Sequence, residues 1–379
     1  MQSQRSQFDI PEDIAYFNCA YGAPLLRASQ QRIVAGIARK SYPWKTVPSD
    51  FFDDAETIRT LASELLGGDA DGYAVVPSAS YGISTAARAL EHQLQKGDRI
   101  LVMAEEFPSN VLPWKRIAFE RQATVHTVPT PASGNWTQAI IDELSLHVKI
   151  VALSNCHWTN GTYIDLIKIR EACNHYRCTL VVDATQSLGA MPFALEQVKP
   201  DFLVAAGYKW LLFPYGVGLL YVAEPWRHAR PLEESWLARQ GAEDFASLVK
   251  YSDTYMPGAR RFDVGEKCVS TTLPGAIAAL EQIKAWGIDT IVQSLQAIND
   301  RLATHLAERG FRVPDRAYRC PHMFGAVVPP GYTGNLVTEL KKKNIFISQR
   351  GNAVRFSPHV YNDNNDVQRL LEAIEEIIK

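Results

Sequence analysis

A single lysine, Lys209, follows the hydrophobic run "DFLVAAG" (201–207), and 26 positions before it an aspartate, Asp183, closes the run "TLVVD". An amine kept neutral by burial is a nucleophile and a proton carrier, and a carboxylate holds a cation. Taken alone, the two residues also fit a salt bridge at a sheet edge. Gln186 comes soon after Asp183, and Tyr208 directly precedes Lys209. Further upstream, "PSASYGIS" sets Ser78, Ala79 and Ser80 between a strand and the start of a helix. There the free N–H groups and the helix dipole suit an anion, although a plain serine N-cap reads the same way. "EEFPSNVLPW" leaves Phe107 just past another strand end, either flat against a planar ligand or packed in the core.

These residues need a scaffold that brings strand ends together. Short runs rich in Val, Leu and Ile predict strands at 72–78, 99–107, 149–155, 179–185, 201–207 and 217–223. Amphipathic segments between most of them, such as "SYGISTAARALEHQLQ" and "DLIKIREACNHYR", predict helices. That alternation predicts an α/β fold, a mostly parallel mixed sheet between two helical layers. About ten residues separate the last two strands, too few for a helical crossover, so one of them is expected to be antiparallel. After about residue 255 the texture changes to longer helices, short strands and a terminal helix. The expected organisation is an arm over 1–15, a large domain over 16–255 and a smaller α+β domain over 256–379.

Composition narrows the partners. The chain has 379 residues, 46% of them hydrophobic, and a formal charge of −2 from 39 basic and 41 acidic residues. Neither nucleic acid nor a membrane surface is expected as a partner. With no apolar leader and no apolar run near membrane-spanning length, the cytoplasm is the expected location. The six cysteines show no zinc-ligand spacing, so no metal is expected and most should be buried, reduced thiols. Phosphate-loop, dinucleotide-binding, zinc-protease and nucleophile-elbow motifs are all missing.

An amine, a carboxylate, a phosphate cradle and an aromatic face together describe one cofactor, pyridoxal phosphate. In that reading Lys209 forms a Schiff base, and Asp183 keeps the ring nitrogen protonated so that the ring can draw electrons from the substrate's α-carbon. The whole chain then resembles the class V aminotransferase family of fold-type I enzymes. "YFNCAYGAP", "PSASYGIS", "EEFPSNVLPW", "LSNCHWTNGTYIDL", "VVDATQSLGAMPFAL", "DFLVAAGYKWLLFPYGVGLLYV" and "ISQRGNAVRFSPHVYNDNNDVQRLLEAI" are similar to its segments, in order.

The resemblance implies that Gln186 bonds the cofactor's phenolic oxygen, that Ala79, Ser80 and Tyr208 hold its phosphate, and that Arg355 holds the substrate carboxylate. Phe107 stands where the family usually has a stacking histidine, and Trp158 near a position where many members have Asn. Ala206 replaces a phosphate-binding serine. A second subunit of a homodimer is expected to complete that site through Gly265 and Glu266, and Asn18, Tyr21 and His359 are further candidates for contacting the substrate. The expected activity is aminotransfer on a small amino acid. The alternatives are a C–S lyase, a desulfurase-like enzyme or an epimerase, and more remotely a non-catalytic binding module. No cysteine stands at the persulfide position of cysteine desulfurases, and Cys320 lies on the wrong side of a strand for that role.

Overall fold

The computed structural model describes residues 1–378. The amino-terminal part holds β1 (Ala15–Tyr16), α1 (Arg27–Lys40) and α2 (Asp53–Leu66). The central part runs β2 (Tyr73–Val76), α3 (Ala79–Leu90), β3 (Arg99–Met103), α4 (Leu112–Arg121), β4 (Thr124–Val128), α5 (Trp136–Asp142) and β5 (Val148–Ser154). It continues with α6 (Leu166–Tyr176), β6 (Thr179–Asp183), α7 (Leu195–Val198), β7 (Phe202–Ala206) and β8 (Gly218–Val222). The remainder is α8 (Leu273–Trp286), α9 (Ile288–Glu308), β9 (Phe324–Val327), α10 (Leu336–Lys341), β10 (Ile345–Phe346), β11 (Ser348–Arg350), β12 (Ala353–Phe356) and α11 (Asn364–Ile377).

Seven strands form one sheet in the order β2-β8-β7-β6-β5-β3-β4. All neighbours are parallel except β8, which runs antiparallel to both β2 and β7. The short 207–217 connection explains this, because a parallel return needs a longer crossover. β6 and β7 are buried along their whole length, as their unbroken apolar runs require when helices cover both faces. The edge strand β4 was not expected from the sequence. Its residues, "TVHTV", are mostly exposed or half-buried, and a polar edge strand carries little apolar signal.

A second, antiparallel sheet has the order β11-β12-β9, and β1 pairs with β10. Its own core contains Phe17, Leu302, Phe324, Val354, Phe356, Leu370 and Ile374. Helix α8 instead packs with α2 in the core of the large sheet, Leu280 and Ile283 joining Ile58 and Ala62. Among the described residues no helix is long and apolar enough to cross a membrane.

Candidate active site

The adjacent strands β5, β6 and β7 end together, with Ser154 opposite Asp183 and Asp183 opposite Val204. Asp183 is buried, and its Oδ1 accepts the Thr185 N–H at 2.9 Å. Burial raises its carboxyl pKa, while Thr185 and the Lys209 charge work the other way. Lys209 is 7% exposed and has no ion pair among the described residues. Its Nζ lies 5.7 Å from the centre of the Phe107 ring and 5.6 Å from that of Tyr208. Burial, followed by the Arg355 cation, lowers the amine to about 8. A sharp turn fixes its backbone. The Phe213 N–H donates to the Gly207 carbonyl, and a Cβ on Gly207 would stand 2.1 Å from the Phe213 ring, so only glycine fits there.

Above this floor is a cavity of about 260 Å³, lined among others by Ala79, Ser80, Phe107, Trp158, Gln186 and Tyr208. The Ser78 hydroxyl caps α3 by accepting the Tyr81 N–H at 3.2 Å and lies 2.8 Å from the Ser80 hydroxyl. Two hydroxyls thus flank a helix N-terminus whose first amides lack partners within the helix. Ala206 also lines the cavity. Its N–H donates to the Thr185 hydroxyl at 3.0 Å, and that second hydroxyl stands close to where Ala206 lacks its own. The Gln186 amide donates to the Ala20 carbonyl at 3.2 Å and accepts from the Trp210 indole at 3.0 Å. One of its N–H groups remains.

Phe107 and Trp158 meet edge to face at 5.4 Å. The Trp158 indole donates to the Glu105 carbonyl, and its own carbonyl accepts from Arg355 Nη1. Arg355, on β12, is 1% exposed, and its Nε and Nη2 have no hydrogen-bond partner. It is therefore a buried cation with two donors still to satisfy.

Three of the expected substrate contacts lie elsewhere. His359 is fully buried against Trp210 and Tyr361, where burial and His322 pull its pKa down to about 3. Its ring packs against Trp210 and Tyr361 with neither nitrogen hydrogen-bonded among the described residues, away from the cavity. Asn18 pairs through its backbone with Ser357, and the Tyr21 side chain is 60% exposed. Neither lines the cavity. Gly265 donates its N–H to Glu233 at 2.6 Å, and Glu266 lines a separate surface cleft with Arg39 and Lys40. Both stand outside their own chain's cavity.

Four residues not singled out from the sequence belong to the region. Glu106, Thr185 and Cys156 line the cavity, and the guanidinium carbon of Arg350 is 5.8 Å from the centre of the Trp158 ring. Glu106 and Arg350 fall inside quoted motifs, where their position next to Phe107 and on the strand before Arg355 was the available signal.

The residues fit pyridoxal phosphate. Lys209 and Asp183 face one cavity, hydroxyls and a helix N-terminus form an anion cradle, and Phe107 is the aromatic wall. Fold and site together define a pyridoxal-phosphate-dependent enzyme of the three-layer α/β/α type. The aminotransferase class-V family model matches residues 41–370, and the chain belongs to that family. It is 26% identical to a probable cysteine desulfurase of Pyrococcus abyssi over 99% of this chain and 97% of that one. To the isopenicillin N epimerase of Streptomyces clavuligerus it is 22% identical over 99% and 98% of the two chains. Among solved structures it is similar to the cystine C–S lyase C-DES in complex with cysteine persulfide, with a TM-score of 0.86, 20% identity, and coverage of 97% and 98%. The cysteine desulfurase CsdA of Escherichia coli matches with a TM-score of 0.82 at 20% identity, over 98% and 97% of the chains.

Proposed function

We propose that the protein is a pyridoxal-phosphate-dependent lyase that cleaves a bond to a sulfur leaving group on a small amino acid. The observation that carries the amino-acid reading is Arg355, a buried guanidinium with two unpartnered nitrogens at an electrostatic distance that lowers the Lys209 pKa. A carboxylate would satisfy both nitrogens as a bidentate pair. Bound pyridoxal phosphate supplies an aldehyde for amino groups and a ring that draws electrons from the α-carbon.

The chain's own residues do the rest. Lys209 would hold the cofactor's aldehyde carbon, and its amine, when neutral, would move the α-proton. Asp183 would face the ring nitrogen, Gln186 the phenolic oxygen, and Ala79, Ser80 and Tyr208 the phosphate. Cleavage at sulfur is favoured over aminotransfer by the relatives above and by Phe107. A thiol has a pKa near 8.5, so a thiolate departs without a strong acid, and Phe107 offers none. A desulfurase using a persulfide on its own thiol fits less well, since residues 348–379 contain no cysteine and Cys320 is fully buried.

The reading takes a large domain that carries the cofactor and a small domain that supplies Arg355, with the expected 255/256 boundary moved, because α8 packs in the core of the large sheet and Phe17 in that of the small one. It also retains a homodimer in which Gly265 and Glu266 reach the partner's phosphate site. The test is incubation of the purified holoenzyme with cysteine, cystine and the other natural amino acids, with and without a 2-oxo acid. Release of pyruvate and sulfide without the acceptor is expected. Product formation only with the acceptor would instead establish aminotransfer.

A further inference from the structure

Glu106 is the one buried carboxyl of the cavity that the mechanism above leaves unused. The chain turns sharply to place it there. Glu105, immediately before it, adopts a left-handed conformation with φ of 56°, unusual for a residue with a side chain. The Trp158 indole holds the Glu105 carbonyl at 2.6 Å. The turn sends Glu106 inward, where it is 7% exposed and lines the cavity. Its Oε1 accepts the Phe107 N–H at 2.8 Å, and its Oε2 accepts the Ser154 N–H and hydroxyl at 3.1 and 3.2 Å. Ser154 lies directly opposite Asp183 in the sheet register. Two buried carboxyls are thus anchored on neighbouring strand ends.

We propose that Glu106 and Asp183 act as an acid pair that holds one proton while the pocket is empty, making uptake of pyridoxal phosphate proton-linked through Glu106. Like charges lining one buried cavity do not both ionise readily. The charge that acts on Glu106 is Asp183 from β6, opposed by the Phe107 and Ser154 donors; Lys209 after β7 and Cys156 after β5 line the same cavity, with Glu105 beside it on its own loop and His157 bonded to the Ala104 carbonyl. His157 is kept neutral by burial, so the single Lys209 cation compensates at most one of two anions. Burial, then the Asp183 charge, brings the Glu106 carboxyl up to about 7. A cationic ring nitrogen seated on Asp183 cancels that charge. The Glu106 O–H bond then breaks and its proton passes to water. Glu106 is in this sense a positioning residue, setting the charge that Asp183 presents.

The inference rests on the cofactor reading, and one experiment separates the two. The cofactor-free protein and its Glu106→Gln variant are titrated with pyridoxal phosphate between pH 6 and 8. The ratio of wild-type to variant affinity is expected to rise about fivefold over that range, the linkage of a one-unit fall from a pKa of about 7. A ratio constant with pH overturns the inference, while failure to bind pyridoxal phosphate at any pH overturns the cofactor reading instead. The wild-type protein alone gives a second readout that survives any folding defect of the variant. Its infrared spectrum at pH 6 is expected to lose a carboxylic-acid band when pyridoxal phosphate is added, and retention of every such band overturns the proposal.

Discussion

The floor of the cavity and the wall at Trp158, to which the buried Arg355 is bonded from outside the lining, are built on opposite plans. The floor comes from the ends of β6 and β7 within the 183–209 stretch, and Asp183, Thr185, Ala206 and Gln186 there each make at least one hydrogen bond that fixes their placement. The wall joins Arg355 to Trp158 across 197 positions of the chain and leaves two guanidinium nitrogens without partners. A floor fixed in this way suits a cofactor that stays. An unsatisfied wall suits a ligand that comes and goes, because its buried donors cost stability until a substrate carboxylate reaches them. Lys209 sits between the two plans, placed by the floor and kept partly neutral by burial and by the wall's positive charge.

This contrast can be broken most severely at Lys209. Lys209→Ala should remove borohydride-reducible cofactor attachment and lower turnover by at least about 10³-fold, since both nucleophile and proton carrier are lost. Unchanged attachment in the cofactor absorbance would refute the assignment. Breaking the wall should act differently. Arg355→Ala is expected to lower kcat/KM by about 100-fold, mostly through KM, as one charge-assisted bidentate contact disappears. Its cofactor spectrum should remain that of the wild type, and a loss of bound cofactor would move Arg355 to the floor.

Stability sharpens the comparison further. The folded-state pKa of Lys209 is depressed from 10.5 to about 8, so the unfolded chain binds more protons between those values and stability rises with pH across them. In the cofactor-free protein, Lys209→Met should therefore stabilise by up to about 3 kcal/mol at pH 7, an advantage that fades as pH climbs from 8 to 10.5. Denaturant unfolding at several pH values measures it. The smallest effect is expected from Thr185→Val, which strips one hydroxyl from the floor. It should cost about 1 kcal/mol and weaken cofactor retention, with KM for the amino acid unchanged.

Much of the floor could be read in advance because its parts are local. Asp183, Gln186, Tyr208 and Lys209 sit at the ends of apolar runs that predict buried strands, and strand ends are where an α/β sheet exposes its chemistry. That one of the last two strands is antiparallel followed from connection length alone; that it is β8 came from the pairing. The wall was less legible. Arg355 was reached through resemblance, whereas the positions of Arg350 and Glu106 depend on turns and strand pairing between remote segments. His359 shows the opposite failure. A titratable ring in a motif-rich segment looks functional, yet it packs between Trp210 and Tyr361, an arrangement with no periodic signature.

By itself, the amino-acid sequence determined the strand-helix alternation and the family, and it set Lys209 and Asp183 at the ends of neighbouring apolar runs. Those follow from hydrophobic periodicity and from residue types at strand ends, both local properties. Only the tertiary structure decided that Arg355 keeps two donors unpaired, that Trp158 and Phe107 form one wall, and that Glu106 stands beside the Asp183 strand end. Burial and hydrogen-bond satisfaction depend on which distant segments meet, and spacing along the chain does not carry that information.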